Sequence, residues 1–140
     1  MSEGPKILMV DDDRDLHEVL RVLLEAEGYC VVSAFKGPEG LDLADKERPD
    51  LILLDVMMPE ATEGFHVVWQ LRGREEAYFR EVPIIMLTAI HQRTALRFYP
   101  DAGDGTYSAG EYLPVQGFVD KPVEPAALLK EVGRVLAMRA

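Results

Sequence analysis

The chain is predicted to fold as a doubly wound α/β domain, a parallel β-sheet covered by helices on both faces. Short, nearly continuous apolar runs of strand length alternate with segments of helical periodicity, which is typical of buried parallel strands joined by crossover helices. In addition, polar side chains stand where several of these strands end, at the edge of such a sheet where active residues gather. At 140 residues, of which 48% are hydrophobic, the chain suits one domain with a substantial core.

The first half of the chain alternates strand, helix, strand and helix. Residues 6–10 are predicted to form the first strand, and 14–27 follow as an amphipathic helix that Gly28 is placed to stop. Residues 30–34 suit a second strand and 38–47 a second helix. The predicted inner face of the first helix has apolar residues at three- and four-residue steps: Leu16, Val19, Leu20, Leu23 and Leu24.

The second half continues the same alternation around the most apolar strand, residues 51–54. A third helix covers 65–72 and is extended toward Phe79, and Pro83 opens a fourth strand over 83–87. A fifth strand over 116–120 and a helix over 125–138 close the domain. The predicted inner face of this last helix consists of Leu128, Leu129, Val132 and Leu136.

Charge and cysteine content exclude several kinds of protein. The net charge of −10, with 15 basic against 25 acidic residues, argues against direct nucleic-acid binding, which needs clustered Lys and Arg. No apolar run approaches the roughly 20 residues that span a bilayer, so membrane insertion is not expected. The single cysteine and the lack of a signal-peptide pattern indicate a cytoplasmic protein.

Five polar residues at strand ends form the candidate site. Asp11 and Asp12 follow the first strand, Asp55 the third, Thr88 the fourth and Lys121 the fifth. Three carboxylates in one cleft repel each other unless a cation compensates, and Mg²⁺ prefers such oxygen ligands. A carboxylate that faces a metal, a lysine and a hydroxyl is arranged for phosphoryl transfer, in which Asp55 attacks phosphorus and becomes an acyl phosphate.

The sequence around these residues resembles the receiver domain of two-component response regulators, in particular the single-domain, chemotaxis-regulator type. Four segments carry the resemblance, which extends over essentially the whole chain, residues 1–140. They are Lys6-Ile-Leu-Met-Val-Asp-Asp-Asp13, Asp50-Leu-Ile-Leu-Leu-Asp-Val-Met-Met-Pro59, Pro83-Ile-Ile-Met-Leu-Thr-Ala89 and Gly117-Phe-Val-Asp-Lys-Pro-Val123. The resemblance implies a flavodoxin-like five-stranded parallel sheet, in the order 2-1-3-4-5, with five helices.

The resemblance also implies a function for each site residue. Asp55 would accept phosphate from a histidine kinase or phosphotransfer protein. Asp11, Asp12, Asp55 and the backbone carbonyl of Met57 would hold Mg²⁺. Thr88 and Lys121 would bind the phosphoryl oxygens, and the family tends to have a cis bond at the position of Lys121-Pro122.

In this family a switch couples phosphorylation to partner binding. Thr88 would move toward the phosphate and let Phe118, three residues before the lysine, turn inward. The surface of the fourth helix, fifth strand and fifth helix would change and control a downstream protein target. The apolar residues two positions beyond Asp55 and Thr88, Met57 and Ile90, flank the path of an attacking water, so self-dephosphorylation is expected to be slow and a phosphatase partner to set the lifetime.

One departure from the family pattern is the distance between Thr88 and Lys121. Their separation of 33 positions (121 minus 88) is roughly ten more than the family norm, which predicts an insertion within about 98–114 and a remodelled segment between strands 4 and 5. The insertion contains Tyr99, Tyr107 and Tyr112, a candidate docking surface for a specific partner. Its acidic residues do not match the spacing of an EF-hand and are interpreted as a solvated loop.

Other residues receive structural interpretations. Asp13 and Asp15 are interpreted as helix-start residues rather than metal ligands. His17, His66 and His91 lack a second ligand at metal-binding spacing and are expected on helix surfaces.

Three other functions are alternatives to the phosphoryl switch. A phosphohydrolase of the haloacid dehalogenase kind fits poorly, because Asp15 stands where Thr or Val is expected and Asp55 would have no function. A flavodoxin-like FMN carrier would need a first loop of Ser, Thr and Gly, whereas this loop carries four aspartates that would repel phosphate. A receiver-fold interaction module that works without phosphorylation remains the alternative. The chain ends just after the fifth helix, which favours a stand-alone receiver.

Overall fold

The computed structural model describes residues 4–55, 63–88 and 115–139. Their strands form one parallel sheet in the order β2-β1-β3-β4-β5, which confirms the predicted order. The strands are β1 (Lys6–Val10), β2 (Cys30–Ala34), β3 (Leu51–Asp55), β4 (Ile84–Thr88) and β5 (Gly117–Asp120). The helices of the described ranges are α1 (Arg14–Ala26), α2 (Gly37–Glu47), α3 (Glu63–Arg72), α4 (Ala77–Glu81) and α5 (Pro125–Arg139).

The core has two layers because successive strand residues point to opposite faces of the sheet. Leu8, Ile52 and Leu54 pack with α2, α3 and α4 on one face. Ile7, Leu51 and Leu53 pack with α1 and α5 on the other. All five residues of β3 and of β4 are buried, as expected for central strands covered on both sides.

Helix boundaries follow local signals that the sequence displays. The Asp13 side chain accepts a hydrogen bond from the Leu16 backbone N–H, so Asp13 is the N-cap of α1, as predicted. Gly28, just beyond the C-cap, has a φ of +91°, a conformation that favours glycine. The predicted extension of the third helix to Phe79 is wrong, because α3 ends at Arg72, before Gly73, and a separate short helix begins at Ala77.

The predicted inner face of α1 is also wrong in part. Leu20 and Leu24 are buried, but Val19 is 61% exposed and His17, expected on the surface, is only 3% exposed. His17 lies three residues before Leu20 and seven before Leu24, so all three share one face of the helix. The apolar pattern of α1 predicts a face with Val19 at one margin, and packing against the sheet instead buries the neighbouring face that includes His17.

Membrane insertion was not expected from the sequence. None of the helices within the described ranges has the length and apolar character needed to cross a bilayer.

Candidate functional site

The sheet brings the predicted site residues to one edge. Asp55 and Thr88 are the last residues of β3 and β4, and Asp11 and Lys121 come directly after β1 and β5. The Lys121 backbone N–H donates to the Thr88 carbonyl at 2.6 Å. Because all strands are parallel, their carboxyl ends meet at this edge, which is where ligands bind in open α/β sheets.

Three carboxylates form a compact acidic cluster. Asp11 and Asp55 are each only 2% exposed, whereas Asp12 is exposed. One carboxylate oxygen from each of Asp11, Asp12 and Asp55 lies within 4.8 Å of the other two. An all-oxygen donor set of this kind fits a hard divalent cation, which commonly keeps several waters beside two or three carboxylates.

Lys121 supplies positive charge to the two buried carboxylates. Its Nζ donates to Asp11 Oδ2 at 2.9 Å and lies 3.3 Å from Asp55 Oδ1. Burial by itself lowers the pKa of Lys121, but the hydrogen bond and charge of Asp11, together with Asp55, outweigh burial and raise the pKa above its usual 10.5. The ammonium group therefore stays charged at neutral pH and offsets the repulsion between the two carboxylates.

Backbone contacts hold Asp11 in position. Its N–H donates to the Ala34 carbonyl at 3.1 Å, which continues the pairing of β1 with β2. Its Oδ1 accepts from the Asp13 backbone N–H at 2.9 Å, so the start of α1 orients this carboxylate. Asp11 thus belongs both to the end of the sheet and to the turn that leads into α1.

Thr88 presents a buried hydroxyl at the same edge. The residue is 0% exposed, and within the described part of the chain its Oγ1 has no hydrogen-bond partner. Leaving a buried hydroxyl without a hydrogen-bond partner is unfavourable, so such a group in a native structure calls for an explanation, for example a functional role. Phe118, in β5, is partly buried and packs against the α2–α3–α4 side of the core.

Some predicted features lie outside the described residues, namely Met57, Ile90, His91 and the insertion at about 98–114. Of the predicted metal ligands, the structure therefore places Asp11, Asp12 and Asp55 together. The Lys121-Pro122 peptide bond is cis.

His17 is a residue beside the site that sequence reasoning missed. Its imidazole Nε2 lies 2.6 Å from the Asp11 backbone oxygen. The signal available in the sequence was its spacing from Leu20 and Leu24, which places it on the same helix face.

Comparisons with known proteins agree with this architecture. Residues 7–133 match the family model of the response regulator receiver domain. The chain is 42% identical over 109 residues to the response regulator MprA of Mycobacterium tuberculosis, an alignment that covers 78% of this chain and 43% of MprA. The chain therefore spans less than half the length of that curated relative.

Two solved structures are similar over nearly their whole length. The chemotaxis response regulator CheY4 of Vibrio cholerae is 32% identical with a TM-score of 0.76, covering 94% of this chain and 98% of CheY4. The receiver domain of the sensor histidine kinase PA1611 from Pseudomonas aeruginosa is 26% identical with a TM-score of 0.74, covering 96% and 98%; that structure has a magnesium ion coordinated in its active site cleft. The predicted flavodoxin-like receiver fold is confirmed, and the chain belongs to the family of response regulator receiver domains, which serve phosphorylation-dependent signalling.

Proposed function

We propose that Asp55 accepts a phosphoryl group from a histidine kinase or phosphotransfer protein, with Mg²⁺ bound beside it. The observation that carries the proposal is the meeting of a buried Asp55 with Asp11, Asp12 and Lys121 at the carboxyl edge of the sheet. The magnesium ion coordinated in the cleft of the PA1611 receiver supports the choice of cation. Asp11, Asp12 and Asp55 would hold the ion here, together with the backbone carbonyl of Met57.

The transfer itself asks little covalent chemistry of the protein. A carboxylate oxygen of Asp55 forms the new P–O bond while the bond between phosphorus and the donor's histidine nitrogen breaks, and that nitrogen keeps the electron pair. Catalysis is then mainly positioning and charge neutralisation. Mg²⁺ held by Asp11, Asp12 and Asp55 would supply part of that neutralisation.

Lys121 and Thr88 would bind the phosphoryl oxygens. The Lys121 ammonium is 3.3 Å from Asp55 Oδ1, close enough to bind an oxygen of a phosphoryl group whose phosphorus becomes bonded to Asp55. The Thr88 hydroxyl, which finds no partner among the described residues, is a donor for a second phosphoryl oxygen. We expect the protein's own chemistry to consist of its phosphorylation and the hydrolysis of its acyl phosphate.

The same contacts provide the switch. When Thr88 turns toward the phosphoryl group, the space beside it opens to Phe118, whose strand pairs with β4 through Met86–Phe118 and Thr88–Asp120. Among the described residues, Phe118 shares a groove with Ala127 and Lys130 of α5. A change there would alter the surface formed by β5, α5 and the segment between β4 and β5, to which a downstream protein target binds. We expect the target to be a protein rather than a nucleic acid, because the chain carries a net charge of −10. We expect the protein to act in the cytoplasm.

Intact mass spectrometry after incubation with Mg²⁺ and acetyl phosphate tests this function. The wild-type protein is expected to gain one phosphoryl group, and Asp55→Asn none, because the amide lacks the nucleophilic carboxylate. Asp50→Asn, which changes a carboxylate at the opposite edge of the sheet, serves as the matched control and is expected to be phosphorylated. If folded, Mg²⁺-bound wild-type protein gained no mass, the phosphorylation-independent interaction module would be favoured.

The acyl phosphate is expected to be long-lived in the purified protein. Met57 and Ile90, both apolar, flank the expected path of the attacking water, so nothing polar at these positions would hold that water in line. The measurement is the decay of the phosphorylated mass in the presence of Mg²⁺, compared with Met57→Asn, whose amide can bind a water and is expected to shorten the lifetime. Rapid decay in the wild type would contradict the prediction; slow decay would leave the lifetime to a phosphatase partner.

A further inference from the structure

His17 is a buried polar residue that the proposed phosphoryl transfer does not use. It lies on the inner face of α1 and is 3% exposed. Its Nε2 is 2.6 Å from the backbone oxygen of Asp11, which is one of the three clustered carboxylate residues. A histidine in this position needs an explanation, because leucine would fill the same helix face without burying polar atoms.

The hydrogen bond to Asp11 requires a proton on Nε2 of the imidazole. A backbone carbonyl only accepts hydrogen bonds, so Nε2 carries the proton and donates it. The other ring nitrogen, Nδ1, is buried and makes no hydrogen bond to any residue that the structure describes. Within the described ranges, the Asp11 carbonyl is therefore the polar group that holds the ring.

Aromatic contacts orient the ring. The His17 and Phe35 ring centroids are 4.5 Å apart at an angle of 52°. The guanidinium carbon of Arg14 lies 4.1 Å from the centroid of the Phe35 ring, so Phe35 is itself held by a cation–π contact. A ring packed in this way keeps its Nε2–H directed at one point, the Asp11 carbonyl.

That carbonyl belongs to the peptide unit that joins Asp11 to Asp12. Because the peptide unit is planar, fixing the direction of the Asp11 C=O also fixes the positions of the Asp12 N and Cα atoms. β1 ends at Val10, so this peptide lies beyond the regular strand. Asp12 is exposed, and neighbouring side chains therefore constrain it less than they constrain Asp11 and Asp55.

We propose that His17 is a positioning residue for the divalent-cation site, acting through the Asp11–Asp12 peptide. The inference rests on the proposed function, because it takes the acidic cluster to be a Mg²⁺ site. By holding that peptide, His17 keeps the Asp12 carboxylate directed toward Asp11 and Asp55 before the cation arrives. Binding then needs less reordering of the ligands, and outer-shell groups of this kind commonly change metal affinity by about 10-fold or more.

The test is the Mg²⁺ dissociation constant of the unphosphorylated protein, measured by isothermal titration calorimetry. His17→Leu fills the space but cannot donate, and is expected to bind Mg²⁺ about 10-fold more weakly. His17→Gln places an N–H donor near the position of Nε2 and is expected to restore binding close to that of the wild type. His17→Asn is polar but one methylene shorter, and is expected to resemble His17→Leu.

The outcomes separate this inference from the proposed function. Wild-type Mg²⁺ affinity in both His17→Leu and His17→Asn would overturn the inference about His17. Equal losses of affinity in His17→Gln and His17→Leu would also overturn it, because a change in packing alone would then explain the effect. Leu24→Ala, on the same helix face but away from the cluster, controls for destabilisation and is expected to keep wild-type affinity. If the wild-type protein bound no Mg²⁺, the metal site itself would be wrong and the inference would fall with it.

Discussion

At the scale of single residues, the buried carboxylates and the buried hydroxyl of the site differ in their hydrogen-bond partners. The buried carboxylates of Asp11 and Asp55 share one ammonium group, that of Lys121, whereas the buried Thr88 hydroxyl has no partner within residues 4–55, 63–88 and 115–139. The carboxylates are thus partly compensated before any phosphorylation. Among the described residues the hydroxyl has no acceptor, so a phosphoryl oxygen that arrives there would stabilise it, which is the property that a phosphate sensor needs.

This contrast predicts the effect of Thr88→Val, which has nearly the same shape without the hydroxyl. Because the wild-type hydroxyl is buried without a described partner, the variant is expected to raise the free energy of unfolding of the unphosphorylated protein by up to about 1 kcal/mol. The gain in stability on phosphorylation is expected to be smaller than in the wild type. Both quantities can be measured by urea denaturation before and after treatment with acetyl phosphate.

Thr88→Ser is the matched control, since it keeps a hydroxyl and loses only a methyl group. It is expected to retain the response to phosphorylation. A loss of more than about 1 kcal/mol in unphosphorylated Thr88→Val would mean that the hydroxyl already has a partner in the resting protein.

At the scale of elements, one side chain joins α3, β4 and the start of β5. Gln116 Oε1 accepts hydrogen bonds from the Ile84 backbone N–H at 2.8 Å and from Arg72 Nη2 at 3.1 Å. Arg72 also donates to the Phe79 carbonyl at 3.0 Å. Burial lowers the pKa of Arg72 to about 10, which still leaves the guanidinium charged at neutral pH. Gln116 therefore helps to align β4 with the start of β5, the strand that Lys121 directly follows.

Gln116→Ala is expected to lower the free energy of unfolding by about 1–3 kcal/mol, because it removes the acceptor of a buried backbone N–H and of a partly buried cation. Equilibrium urea denaturation measures this loss. Gln116→Glu keeps an acceptor oxygen beside Arg72 and is expected to remain closer to the wild type. Equal losses in the two variants would show that the amide geometry, rather than the acceptor, is what matters.

At the scale of the whole molecule, cation binding and folding are linked. Carboxylates from the ends of two strands and from the following turn come together only in the folded chain, so Mg²⁺ that binds there stabilises the native state. At 100 times the dissociation constant the expected gain is about 2.7 kcal/mol. The measurement is the thermal unfolding temperature as a function of Mg²⁺ concentration.

Asp12→Asn separates binding from folding, because Asp12 is the exposed member of the cluster and contributes least to the core. The variant is expected to unfold without Mg²⁺ at a temperature equal to or above that of the wild type, since one repelling charge is gone. Its response to Mg²⁺ is expected to be much smaller. An undiminished response would place the ion elsewhere on the protein.

Much of the fold was predictable because its signals are local. Strand β1 covers the predicted residues 6–10, and the helix-start role of Asp13 and the stop at Gly28 follow from capping and backbone preferences that act within a few residues. The strand order came from the resemblance to a known family. The sequence did not predict the separate helix α4, because Gly73 is the one break in the helical pattern from 65 to 79 and a single glycine does not always end a helix.

The sequence by itself determined which residues end the strands, and parallel strands necessarily bring those ends to one edge; Asp11, Asp12, Asp55, Thr88 and Lys121 could be named for that reason. Only the tertiary structure decided which face of α1 turns inward, and so exposed Val19 while His17 was buried against the Asp11 carbonyl. The physical reason is that helical periodicity fixes which residues share a face, but the choice among neighbouring faces depends on packing against the sheet. Likewise, the contact of the Lys121 ammonium with Asp11 joins residues that are 110 positions apart along the chain.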